Sequence, residues 1–416
     1  MTKAYLIVGS GPAGITAAER IRNLDSDAEI IVISEEKTPM FYRPRIPEYA
    51  VGKIGIEEIM VKKKDFYVQK KIQLHLGTRA TKLDKKKRVV ETSDENIYGY
   101  DKLLIATGIS PIEPKFPGSR LEGVFTMHDL IQAERLKVAV RDAKQVVVVG
   151  GGLLGMDMAE EFRTTGLHVV FLVRRNSLGD PFFDEYGCKL IRDEFKNMEV
   201  EVITNAEVQS LEGTNNQLAS VLLTDGRRFD SNLCFIAIGA THAVDWLKDS
   251  GLKIENGVLV DRYLRSHDDD DDAVFSAGNA AQIMDPVFEK HIVQTNWINA
   301  IAQGDIAGNN MAGGGLRKYE TTSNYFKRVG DLFFNLIGTG NLRMKGGKRN
   351  YFKGKTPKEY VMVTTKEGRV VGAVVCGRHK ITVKLKDSIE KQSDFSNMDK
   401  LIDQEEKSLE DLSKLF

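Results

Sequence analysis

AYLIVGSGPAG, from Ala4 to Gly14, and QVVVVGGGLLG, from Gln145 to Gly155, decide the fold: each is a β-type apolar run, a glycine-rich turn and the start of a helix. In such a turn the first glycine permits the sharp reversal, the second lets backbone approach a pyrophosphate, and the third lets the helix pack tightly on its strand. Phosphates then meet a helix N-terminus, where free N–H groups and the dipole favour negative charge. A lone turn of this kind also connects ordinary βα units, so its context carries the weight. Gly9, Gly11 and Gly14 are followed by a second β run, EIIVISEE, whose end places Glu35 where a ribose-binding acid belongs, roughly 20 residues on. The chain is expected to hold two dinucleotides.

The rest of the chain bounds the possibilities. Its 416 residues leave room for two or three domains and a substantial core. Lys+Arg and Asp+Glu both total 59, so there is no global charge to recruit nucleic acid or an anionic membrane. Cys188, Cys234 and Cys376 lie far apart and form neither a CxxC pair nor a metal-ligand cluster, which points to a reducing cytoplasm and to no metal site. Folding sequence starts at about Ala4 without a basic-then-apolar leader, and no apolar run approaches the ~18 residues of a spanning helix.

The expected organisation is α/β, with two Rossmann-like dinucleotide-binding domains and a smaller C-terminal α+β domain. The first domain is discontinuous, 1–112 with 241–318; the second is 113–240; and 319–416 forms an interface domain with a charged helical tail. Within the first, Glu57 to Lys71 reads as a helical stretch, and IQLHLGTRATKLD with RVVETS as a small meander. IATG and IAIG close equivalent strands of the two domains, ending in Ala106-Thr107-Gly108 and in Gly239, as though one plan were used twice.

GSGPAG, FYRPR, IATG, GGGLLG, IAIG and VFSAGNAA, in that order, resemble the flavoprotein reductases of the pyridine nucleotide-disulfide oxidoreductase type. The likeness is strongest to NAD(P)H:rubredoxin reductases and to the flavin-containing part of nitrite reductase large subunits. It implies that Gly9, Ser10, Gly11, Pro12, Ala13 and Gly14 cradle the FAD pyrophosphate, that Glu35 takes the ribose, and that Arg43 and the backbone at Ala80 help to hold FAD. It further implies that Ala106, Thr107 and Gly108 close over the dinucleotide and that Gly278 approaches the flavin. Asn279 stands where that family usually has Asp. An amide can donate a hydrogen bond where a carboxylate only accepts, so binding is retained with altered strength. The helix near Asn296 and Trp297 should aim its N-terminus at the flavin edge that becomes negative on reduction.

Gly150, Gly151, Gly152, Leu153, Leu154 and Gly155 should bind NAD(P)H. The following strand ends in Arg174 and Arg175 rather than in an acid; guanidinium groups suit a 2′-phosphate and favour NADPH, unless they are solvated or pair with Asp180 or Asp184. Asp157 reads equally as part of the nicotinamide pocket and as an ordinary early-helix acid. Gly239 lacks the proline that commonly follows it.

Disulfide reductases of the superfamily carry a CxxxxC pair in the first domain, and its CoA-disulfide reductases and peroxidases one cysteine just after the second strand; this chain has Met40, Phe41 and Tyr42 there, so electrons should leave directly from the flavin. The expected activity is FAD-dependent transfer from NAD(P)H to a small acidic iron-sulfur carrier, rubredoxin or ferredoxin. The alternatives are an NAD(P)H oxidase making hydrogen peroxide and a flavin-bearing, nucleotide-responsive interaction subunit. Arg343, Lys345, Lys348 and Arg349 form either a solvated hairpin tip or a carrier dock; the third domain is equally open to forming a homodimer. Asp268 to Asp272 reads as a solvated turn or as a partner-binding or cation-collecting run. His291 and Trp297 read equally as neighbours of the flavin and as packing at a domain junction.

Overall fold

The computed structural model describes residues 2–267, 272–339, 345–377, 379–395 and 408–414. Arg343 and the acidic run from Asp268 to Asp271 lie outside them. The chain divides into two compact units: Met1–Arg45 with Gly55–Ser110 and Thr241–Thr321, and Ile46–Ile54 with Pro111–Ala240 and Thr322–Phe416.

The first unit is built on a five-stranded parallel sheet in the order Val274–Ser276, Lys102–Ile105, Ala4–Val8, Glu29–Ser34, Ile72–Leu76. Leu6, Ile7, Leu103, Leu104, Ile105, Val32 and Ile33 are all buried, the uninterrupted apolar reading expected of strands covered on both faces. Ile72–Leu76 therefore belongs to this sheet and not to the meander read from the sequence. The meander is Ala80–Asp84, Val89–Thr92 and Ile97–Gly99. The expected helix from Glu57 to Lys71 is two short ones, Ile56–Ile59 and Lys64–Gln69. The break arises because the chain there pairs with Met40 to Tyr42: Val61 donates to the Met40 carbonyl (3.1 Å) and Tyr42 to that of Ile59 (2.7 Å).

The second unit repeats the plan with the parallel order Glu201–Thr204, His168–Val173, Gln145–Val149, Cys234–Ile236, Val124–Phe125. In both units the strand feeding the glycine turn is flanked by its successor on one side and by the IATG or IAIG strand on the other. Each turn thus opens at the carboxyl end of a central strand, where neighbouring connections diverge. The same unit carries a five-stranded antiparallel sheet, Asn324–Val329, Leu332–Gly338, Arg369–Cys376, Tyr360–Lys366, Lys348–Lys353, backed by the helix Ile381–Glu390. Lys348 and Arg349, read as part of either a hairpin tip or a carrier dock, begin the edge strand of that sheet. No helix among the described residues is long and apolar enough to cross a membrane.

Candidate dinucleotide sites

The two glycine turns have the same internal geometry. Gly9 has φ +118°, and a Cβ there would stand 2.2 Å from the Ala106 carbonyl oxygen; Gly150 has φ +114° and the corresponding approach to Ala237 is also 2.2 Å. Gly14 and Gly155 press onto the carbonyls of Gly9 and Gly150, where an added Cβ would fall at 2.0 and 1.9 Å. The middle glycines differ: a Cβ on Gly11 or on Gly152 would meet nothing within 4 Å. Protein packing therefore demands the outer two glycines of each turn. The middle one leaves an open approach to backbone, which is what a pyrophosphate needs. Gly11 and Gly152 are also the N-caps of Pro12–Leu24 and Leu153–Thr164, and neither helix has a side chain capping its first amides.

Around the first turn, Pro12 occupies the first helical turn and Ala13 is buried, while the Ser10 hydroxyl is buried and bonded to that of Ser34 (2.8 Å). Ala106 is buried; the Thr107 Oγ1 beside it is buried and has no hydrogen-bond partner among the described residues, and Gly108 has φ +74° with open space where its Cβ would be. An unpaired buried hydroxyl next to open backbone fits a ligand that completes it. These residues fit FAD, which when bound can accept two electrons together and release them singly.

Two helices bring the remaining candidates here. Gly304 and Gly308 of Trp297–Met311 lie on Ala13 and Ala17 of Pro12–Leu24, so closely that a Cβ on Gly304 would stand 2.3 Å from the Ala13 carbonyl oxygen. A Cβ on Gly278, φ +72°, would touch the Ala13 side chain at 3.0 Å, and its N–H donates to the buried Gln303 side chain (2.7 Å). Asn279 is half-buried, and its carbonyl accepts from His242 Nδ1 (2.8 Å). Asn296 caps its helix by accepting from the Asn299 N–H (2.8 Å), and Trp297 meets the Tyr42 ring edge-on at 5.0 Å.

Behind them lies a buried polar network that sequence reading missed. Gln303 bonds Gln294 (3.3 Å), Gln294 accepts from Tyr319 (2.6 Å) and donates to Asp285 (3.2 Å), and Asn299 donates to Gln294 (2.8 Å). The spacing of Ala13 with Ala17 and of Gly304 with Gly308 could have revealed the close helix pair; nothing in the sequence marks the glutamines.

The ribose-side candidates are more open. Glu35 follows Glu29–Ser34 and lies 3.6 Å from Arg79, both well exposed. Arg43 pairs with Glu36 (2.5 Å) and lies over the Phe41 ring, and Ala80 is buried at the start of Ala80–Asp84.

At the second turn, Gly151 is packed against Val173, and Leu153 and Leu154 open the helix. Gly239, φ +122°, accepts from the Ile112 N–H (3.0 Å). Arg174 and Arg175 are exposed just past His168–Val173; Arg175 pairs with Asp180 (2.7 Å), whereas Asp184 is buried and takes the Tyr360 hydroxyl (2.5 Å). Asp157 is ion-paired with Lys327, which sequence reading did not single out.

All three cysteines are free, buried and in the second unit; burial pushes the Cys188 thiol up to about 11 and those of Cys234 and Cys376 up to about 12.

The family model described as pyridine nucleotide-disulphide oxidoreductase matches residues 3–304. The chain belongs to this family. Members of the pyridine nucleotide-disulphide oxidoreductase family are flavin-dependent NAD(P)H oxidoreductases that bind FAD and NAD(P)H. A rubredoxin-NAD(+) reductase from Pseudomonas putida is 26% identical over 311 residues, covering 74% of this chain and 80% of the relative. An NADH oxidase from Methanocaldococcus jannaschii is 24% identical over 404 residues, covering 91% and 89%. Among solved structures, the covalent putidaredoxin reductase–putidaredoxin complex matches with a TM-score of 0.87 at 19% identity over 97% of this chain and 96% of that one, a likeness of fold.

Proposed function

We propose that the protein takes electrons from NAD(P)H through FAD to a small acidic iron-sulfur protein of the rubredoxin or ferredoxin type. The observation that carries this reading is the absence of any cysteine from the unit holding the first glycine turn. A thiol relay at the flavin is thereby removed, and the final acceptor must draw on the flavin itself. The name of the Pseudomonas putida relative supports rubredoxin, and the matched putidaredoxin complex supports an iron-sulfur partner more broadly.

In this reading 1–112 with 241–318 forms the FAD domain, 113–240 the NAD(P)H domain and 319–416 an interface domain. Backbone around Gly11 and Gly108 holds FAD, Glu35 its ribose, and the capped N-terminus of Trp297–Met311 offers positive potential to charge gained on reduction. Backbone around Gly152 holds the nicotinamide dinucleotide, and Arg174 with Arg175 favours a 2′-phosphate. The residues contribute binding, orientation and electrostatic tuning rather than a general acid or a nucleophile.

Direct oxidation by air is the second reading, favoured by the NADH oxidase relative, with hydrogen peroxide as its product. Anaerobic bleaching of the yellow protein by NADH and by NADPH, followed by separate reoxidation with rubredoxin, ferredoxin and air, tests both. Rapid recovery with a carrier and slow recovery in air is expected; rapid recovery in air with stoichiometric peroxide would replace the carrier reading with the oxidase.

A further inference from the structure

Lys327 occupies a core-facing position of Asn324–Val329. Its neighbours Phe326 and Arg328 face solvent, while the Lys327 side chain is only 4% exposed. Its ammonium donates to two acceptors on Leu153–Thr164: the carbonyl of Leu153 (3.1 Å), the first residue of that helix, and the carboxylate of Asp157 one turn further on. The other two carboxylates of this helix have their own partners. Glu160 accepts from the Gly330 N–H (3.2 Å) and Glu161 pairs with Lys53 (2.7 Å). Glu194, from the helix Glu185–Asn197, accepts from the Asp331 N–H (3.0 Å), so the turn that follows Lys327's strand is pinned on both sides.

A carboxylate this close to the start of a helix opposes what the helix offers a phosphate. The uncapped amides above Gly152 carry a partial positive charge of about half a unit, and an unpaired Asp157 would offset it while also repelling an arriving pyrophosphate. Lys327 is buried whereas the Asp157 side chain is 41% exposed; an ammonium held in direct contact neutralises that carboxylate more completely than the diffuse counter-ions of the solvent.

We propose that Lys327 is a positioning residue for the nicotinamide dinucleotide, cancelling the Asp157 charge beneath the second glycine turn and holding the Leu153 carbonyl so that the helix start stays open to a pyrophosphate. This rests on the reading of that turn as the NAD(P)H site. The antiparallel C-terminal sheet thereby supplies part of the nucleotide site through one side chain.

The test measures binding of ADP-ribose, which carries the pyrophosphate but cannot reduce the flavin, to the FAD-loaded protein by calorimetry, alongside thermal unfolding. Lys327→Met should weaken binding about 10-fold, Asp157→Asn should leave it equal or tighter, and the double variant should return to within about 3-fold of the parent, the coupling that a mutant cycle isolates. A merely structural pair would instead weaken binding and lower the melting temperature in both single variants alike. Parent protein that binds ADP-ribose with unchanged affinity in Lys327→Met overturns the role of Lys327 alone; parent protein that does not bind it overturns the nucleotide site as well. Should Lys327→Met fail to fold, Asp157→Asn decides, because weaker binding in that variant contradicts the charge argument.

Discussion

Gly14 lies over Gly9 so closely that a Cβ on Gly14 would stand 2.0 Å from the Gly9 carbonyl oxygen, whereas one on Gly11 would stand in open space. The two glycines therefore separate fold from ligand. Gly14→Ala must push the helix off its strand, an overpacking cost of about 1–3 kcal/mol or more, and should lower the melting temperature of the apoprotein. Gly11→Ala should leave that temperature unchanged and lose FAD. Flavin content after purification and apoprotein melting curves check the contrast; equal loss of stability in both would remove it.

Arg174 and Arg175 lie side by side past the strand, but Arg175 is engaged by Asp180. Arg174 should therefore carry most of any 2′-phosphate preference. Arg174→Ala is expected to raise KM for NADPH by about 10-fold, equivalent to about 1.4 kcal/mol, with little change for NADH. Steady-state kinetics with a dye acceptor measures both, and a parallel rise for the two nucleotides would rule out the role.

With the Cys188 thiol near 11 and the other two near 12, only about one thiol in a thousand or fewer is ionised at pH 8. Alkylating reagents should react slowly with the native protein and quickly after unfolding. Replacing all three by alanine should preserve electron transfer; loss of turnover in a variant that still folds and holds FAD would contradict a thiol-free route.

Gln303 is wholly buried and satisfies the Gly278 N–H. Gln303→Leu leaves that amide without this partner, at a cost of about 1–3 kcal/mol, while Gln294 keeps its bonds to Tyr319, Asn299 and Asp285. Urea unfolding should show it as a lower midpoint with an unchanged slope. A neutral result would mean that water takes the place of the side chain.

His291 faces His267 with ring centroids 5.4 Å apart, and burial, reinforced by the His267 charge, lowers its pKa from the usual 6.5. The folded chain therefore takes up this proton later than the unfolded chain as pH falls. The stability linked to His291 is fully present above about pH 6.5 and declines below it until the folded pKa is passed. His291→Gln should flatten this part of the pH–stability curve, and an identical slope in the variant would exclude the histidine as its source.

The sequence determined both glycine turns, the doubling of the parallel sheet and the helix that begins at Asn296, because glycine spacing, apolar runs and caps are local codes read over a few residues. It misplaced Ile72–Leu76, whose short apolar alternation serves a meander or a sheet edge equally well. It also gave no sign that the basic stretch at Lys348 is an edge strand, since charge there suits a loop and an edge alike. Tertiary structure alone set the distances behind the glycine roles read from the motif, the outer two against protein and the middle one in open space. It alone chose which side of Asn324–Val329 turns inward and set Lys327 against Asp157, 170 residues away in sequence. A strand's alternation defines two faces without saying which is buried, and a charge pair of that separation exists only once the sheet has docked on the helix.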